Sequence, residues 1–108
     1  MFEEGLALFN EGNFFHAHEV WEDLWRNTTH PEKQIIQGMI QIAVAMYHHS
    51  TGNREGAESV MERALRNLEG ADVWFRGINM AQLREDVARA AGELKSNREV
   101  TLFQIARI

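Results

Sequence analysis

The chain has 108 residues, a formal net charge of −5 and no cysteine. The length suits one domain with one core. The charge argues against nucleic acid as the main partner, because phosphate binding wants a basic face. Without cysteine there is no disulfide framework and no thiolate chemistry, which is compatible with the reducing cytoplasm expected here. Glu3 and Glu4 make the N-terminus acidic, unlike a signal peptide. The apolar run from Ile35 to Tyr47 is interrupted by Gln37 and Gln41 and is too short to span a bilayer, so no membrane partner is expected. Arg63, Arg66, Arg84 and Arg89 read as solvated helix faces.

In chain order the pattern is helical nearly throughout, with little alternation to support strands. A first helix covers about residues 2–10, with Phe2, Leu6 and Phe9 on one side. Gly12 breaks it. Asn13 caps a second helix to about Arg26, along which Ala17, Trp21, Leu24 and Trp25 recur at helical spacing. After a polar turn, Pro31 opens a third helix to about Ser50 that is apolar on most sides, which predicts a central, buried position. Gly52 ends it, and Asn53 caps a fourth helix to Leu68. Gly70 and Gly77 bracket a loop containing Trp74 and Phe75. These two are the expected contacts for a partner, since binding residues concentrate on loops. Asn79 and Gln82 read as a capping box opening a fifth helix to about Leu94. The tail 96–108 carries Val100, Leu102, Phe103, Ile105 and Ile108. It is too apolar to hang free, so it packs back or meets another copy of the chain; a homodimer is one expectation.

Shifted by forty residues, Gly12, Asn13, Ala17, Val20, Glu22, Arg26 and Asn27 fall on Gly52, Asn53, Ala57, Val60, Glu62, Arg66 and Asn67. Each copy is helix, Gly-Asn turn, helix. The pattern is similar to tetratricopeptide repeats, in which glycine permits the turn and alanine lets helices approach. The period is longer and the copies fewer than in such arrays. The reading is an all-α five-helix bundle in a single domain: two tetratricopeptide-like hairpins, about 2–26 and 31–68, and a closing helix, about 80–94.

Ionisable and amide groups interrupt the apolar faces. His18 and Glu22 are four apart and share a face beside the tryptophans. Gln37, Gln41 and His48 form a polar stripe on the third helix. Antiparallel second and third helices would let the two sets converge on one partly buried polar site. Three readings follow. In the first, these residues line or underpin a groove that binds a protein or small molecule. In the second, His18-Glu19-Val20-Trp21-Glu22 is a variant of the metalloprotease helix, with His18, Glu22 and His48 holding a divalent metal and Glu19 as catalytic base. In the third, the cluster only fixes helix register. A carboxylate–histidine pair in poor solvent could also move protons. No phosphate loop, dinucleotide fingerprint or nucleophile triad accompanies these residues, and no cofactor is evident. His16, His30 and His49 read as solvated.

Three ordered blocks carry a resemblance. They are Phe14-x-x-Ala17-His18-Glu19-x-x-Glu22-x-x-Trp25, Gln37-Gly38-x-Ile40-Gln41-x-Ala43 and Tyr47-His48-x-x-x-Gly52-Asn53-x-x-Gly56-Ala57. Together they resemble the domain-of-unknown-function 309 family over about residues 5–70. Met39 stands where that family usually has leucine. The resemblance implies a compact five-helix fold and marks His18, Glu19, Glu22, Gln41 and His48 as the family's polar motif positions. It implies no activity. A binding or adaptor module is the favoured reading of the whole.

Overall fold

A computed structural model describes residues 1–107. Five helices follow in order: α1 (Phe2–Asn10), α2 (Phe14–Arg26), α3 (Glu32–Ser50), α4 (Arg54–Leu68) and α5 (Met80–Lys95). Each helix packs against the next one in sequence. The contacts show consecutive helices antiparallel. Phe15 at the start of α2 meets Tyr47 at the end of α3, ring centroids 5.3 Å apart. At the other end Lys33 Nζ lies 4.1 Å over the Trp25 ring. Residues from all five helices share one core, in which Trp21, Ile36, Met39, Met61, Leu68 and Val87 are fully buried. The all-α reading and the two hairpins closed by a fifth helix are the observed architecture.

The forty-residue repeat is a repeat of backbone geometry. Gly12 and Gly52 both take φ +85°, which only glycine adopts at little cost. Asn13 N–H donates to Leu8 O at 2.9 Å, and Asn53 N–H to His48 O at 2.8 Å. Both bonds close the preceding helix in the same six-to-one fashion. Ala17 and Ala57 are buried completely. The two asparagines then diverge. Asn53 Oδ1 accepts from Gly56 N–H at 2.9 Å, whereas Asn13 makes no side-chain cap. A Cβ at Gly56 would lie 2.5 Å from Asn53 Nδ2. The equivalent position in the first copy is His16, and there the expected Asn13 cap does not form. The fifth-helix box is likewise half made: Asn79 Oδ1 accepts from Gln82 N–H at 3.1 Å, but Gln82 Nε2 reaches Asp86 instead. Pro31 stands just before α3, as its N-cap.

One feature departs from the expected order of helices and loops. The segment expected as a loop contains a small hairpin, β1 (Trp74–Phe75) paired antiparallel with β2 (Ile78–Asn79). Arg76 and Gly77 form its turn, both with positive φ, as the twist of a tight hairpin demands. The tail, for its part, packs back. Val100 and Ile105 are buried, Phe103 meets Phe9 at 5.9 Å, and Asn10 exchanges two hydrogen bonds with the Ile105 backbone. Ile78 and Arg107 form an isolated antiparallel bridge. Thus Phe103 and Ile105, on which the dimer expectation leaned, are used within the chain; Ile108 lies outside the described residues. Glu93 anchors the start of this strap. Its carboxylate accepts from the Thr101 N–H and hydroxyl, both at 3.0 Å, and the backbone donor foremost holds its carboxyl below the usual range.

Candidate functional site

The expected site residues do not gather at one place: His18 and Glu22 lie on one surface, Trp74 and Phe75 on another. On the first, where α2 meets α3, His18 and Glu22 do pair, with Nε2 3.5 Å from the carboxylate. One turn of helix sets this spacing. His18 Nδ1 donates to Phe15 O at 2.9 Å, which fixes the ring and turns Nε2 toward Glu22. The pair is not buried: the side chains are 21% and 40% exposed. Among the described residues no polar or charged side chain is fully buried. His18 and Glu22 are thus partly buried and lie outside the core. α2 turns Ala17 and Trp21 inward and leaves His18 and Glu22 at the rim of the helix contact. Glu19 pairs with His16 at 3.1 Å in open solvent. Phe15 and Tyr47 are both exposed and carry His18 and His48 on their flanks, with ring centroids 5.3 and 6.4 Å apart.

The polar stripe on α3 is shared among different neighbours. Gln41 Oε1 accepts from Asn67 Nδ2 of α4 at 2.7 Å. Gly38, one turn earlier, brings α4 close; a Cβ there would lie 2.8 Å from Leu68. Gln41 thus seals the α3–α4 contact. Gln37 lines a shallow cavity with Trp25, His30, Lys33, Gln34 and Asn67. Among the described residues no three His, Asp or Glu side chains are gathered to hold a metal ion. His18, Glu22 and His48 therefore form no such set. Trp21 is core, as expected, stacked between Phe2 and Phe9.

The second surface is a cleft of ≈140 Å³ between the start of α3, the end of α4 and the β1–β2 hairpin. Pro31, Glu32 and Gln34 form one wall, Asn67 and Asp72 another, and Trp74 with Phe75 the third. Arg84 fixes the end of α4 beneath it, donating to the carbonyls of Leu68 and Ala71 at 3.3 Å each. Trp74 is 50% exposed and Val73 beside it 56%. Phe75 is half-buried and packs edge-on against Phe2 at 6.0 Å. Of the two aromatics expected as partner contacts, Trp74 is exposed, and Phe75 chiefly anchors the hairpin to α1. Sequence reasoning missed Glu32, Asn67 and Asp72 as neighbours of Trp74. Only the hairpin's position against α3 brings them together, and no local pattern encodes it.

The family described as "Domain of unknown function (DUF309)" matches residues 2–60, more than half of the chain, and the chain belongs to that family. The matched stretch holds α1, α2, α3 and the first half of α4, with the Phe15–His18–Tyr47–His48 surface and one wall of the cleft. The chain is similar to an uncharacterised protein of Aquifex aeolicus, 29% identical over 93 residues, which are 85% of this chain and 28% of that protein. It is also similar to the uncharacterised protein YpuF of Bacillus subtilis, 36% identical over 58 residues, 53% of this chain and 33% of that protein. In these alignments the chain spans about a third of the length of the curated relatives it matches. No helix among the described residues is long and apolar enough to cross a membrane.

Proposed function

We propose that this chain is a protein-binding module that seats a short segment of a partner in the cleft between α3, α4 and the β1–β2 hairpin. The observation that carries the reading is Trp74. A large aromatic ring, half exposed, stands at the lip of a cleft on a rigid three-element frame. Aromatic side chains in such positions supply much of the energy of protein interfaces. The relatives' greater length fits a module that works beside other segments.

The alternative, a metal-assisted hydrolase with Glu19 as base, has less in its favour. His18 and Glu22 do lie side by side, but Glu19 is engaged with exposed His16, and His48 does not complete the set. The third reading, a register-fixing role, suits Gln41 and its bond to Asn67.

The test is affinity capture with wild type and Trp74→Ala, with thermal melts of both. Trp74→Ala should lose a captured partner while its melting temperature stays close to wild type, because the ring is half in solvent. An unchanged partner set contradicts the reading. Phe75→Ala is the poorer variant, since it also removes the contact with Phe2.

A further inference from the structure

The cleft beside Trp74 is small. At ≈140 Å³ it lies below the roughly 300–1,000 Å³ of small-molecule pockets. It has room for about four or five water molecules, or one amino-acid side chain. Its lining carries two carboxylates, Glu32 and Asp72, and two aromatic rings, Trp74 and Phe75, but no lysine or arginine.

One carboxylate and one ring of this lining already hold a cation. Arg76 Nη2 lies 3.3 Å from Glu32 Oε2, and its guanidinium carbon is 5.5 Å from the Phe75 ring centroid. The other carboxylate and ring, Asp72 and Trp74, hold none. Among the described residues Asp72 joins no ion pair, and no cation lies over the Trp74 ring. The lining thus carries a second carboxylate and a second ring that hold no cation.

We infer that the cleft takes an arginine or lysine side chain of a partner peptide, its charged head between the Asp72 carboxylate and the face of Trp74. The inference rests on the binding-module reading above and gives its occupant a chemistry. A ring face and a carboxylate are complementary to a cation in the same way, and the ring contributes more as the head loses water. The protein's net charge of −5 would draw a basic segment in, but at physiological salt that pull fades beyond about 8 Å. Selectivity must therefore come from Asp72 and Trp74 themselves. Gln34 and Asn67 line both this cleft and the adjoining cavity with Trp25 and Gln37. Primary amides donate and accept, as a passing peptide backbone requires.

The experiment titrates the full chain with acetylated, amidated Ala-Ala-Arg-Ala-Ala, its lysine counterpart and its glutamine counterpart, following the Trp74 indole N–H by NMR. The basic peptides should shift that resonance saturably and bind about tenfold more tightly than the glutamine peptide. Asp72→Asn should reduce the arginine peptide to the glutamine level, and Glu85→Gln, a charge change on exposed α5, should leave it unaltered. Equal affinity for arginine and glutamine peptides, or wild-type binding by Asp72→Asn, overturns the cationic specificity while the binding-module reading stands. No saturable shift at Trp74 with any of the peptides overturns both.

Discussion

His18 donates one ring nitrogen to a backbone carbonyl and turns the other toward Glu22 across 3.5 Å. In a buried network, removing such a group strands its partner and costs about 1–3 kcal/mol. Here both side chains reach water, and an exposed i,i+4 pair contributes about 0.3–0.5 kcal/mol. His18→Gln should therefore lower the unfolding free energy in a urea titration by no more than about 0.5 kcal/mol. A loss of about 2 kcal/mol would mean that His18 is held in a tight network after all. The same residue shows what spacing can and cannot convey. Four residues apart on a helix means one face, and the His18–Glu22 pair was legible in that sense. Depth is set by how the helix is rotated against its neighbours, and Ala17 and Trp21, not His18, point to the core. Gln41 shows the same limit: its stripe was legible, but its partner is Asn67 of α4 and not α2.

Helix boundaries were the most legible part of the fold, because they depend on local chemistry. Gly12 and Gly52 mark positions that demand a left-handed backbone, and each is followed by an asparagine that starts the next helix. The hairpin was less so. Its turn is Arg76-Gly77, only half of the Asn-Gly signature of such turns, and its strands are two residues each, too short for alternation to register. At this scale the two copies of the repeat make opposite predictions. Asn53→Ala removes a formed cap and should cost about 1 kcal/mol, while Asn13→Ala removes none and should cost less than half as much. Parallel denaturation of the two variants checks this. Equal losses would contradict the difference between the two caps.

Across the whole molecule, the tail and hairpin join the two ends of the described chain. Arg107 reaches Glu3 at 3.1 Å and the carbonyl of Arg76 at 2.9 Å, and Phe103 covers Phe9. This closure holds the hairpin against α1 through Phe75 and so presents Trp74 beside α3 on a fixed frame. The apolar tail was legible as something that must be covered. That it covers α1 was not, since the contact spans about the full length of the sequence. The molecule thus offers two aromatic surfaces, Phe15 with Tyr47 and the cleft at Trp74, and the proposed binding surface is the second. The most direct test places a photo-crosslinking amino acid at position 74 in one sample and at position 47 in another, each in otherwise intact protein, and irradiates both in cells. A partner protein should become attached from position 74 and not from position 47. Attachment from position 47 alone would contradict the account and move the binding surface to the face of α2 and α3.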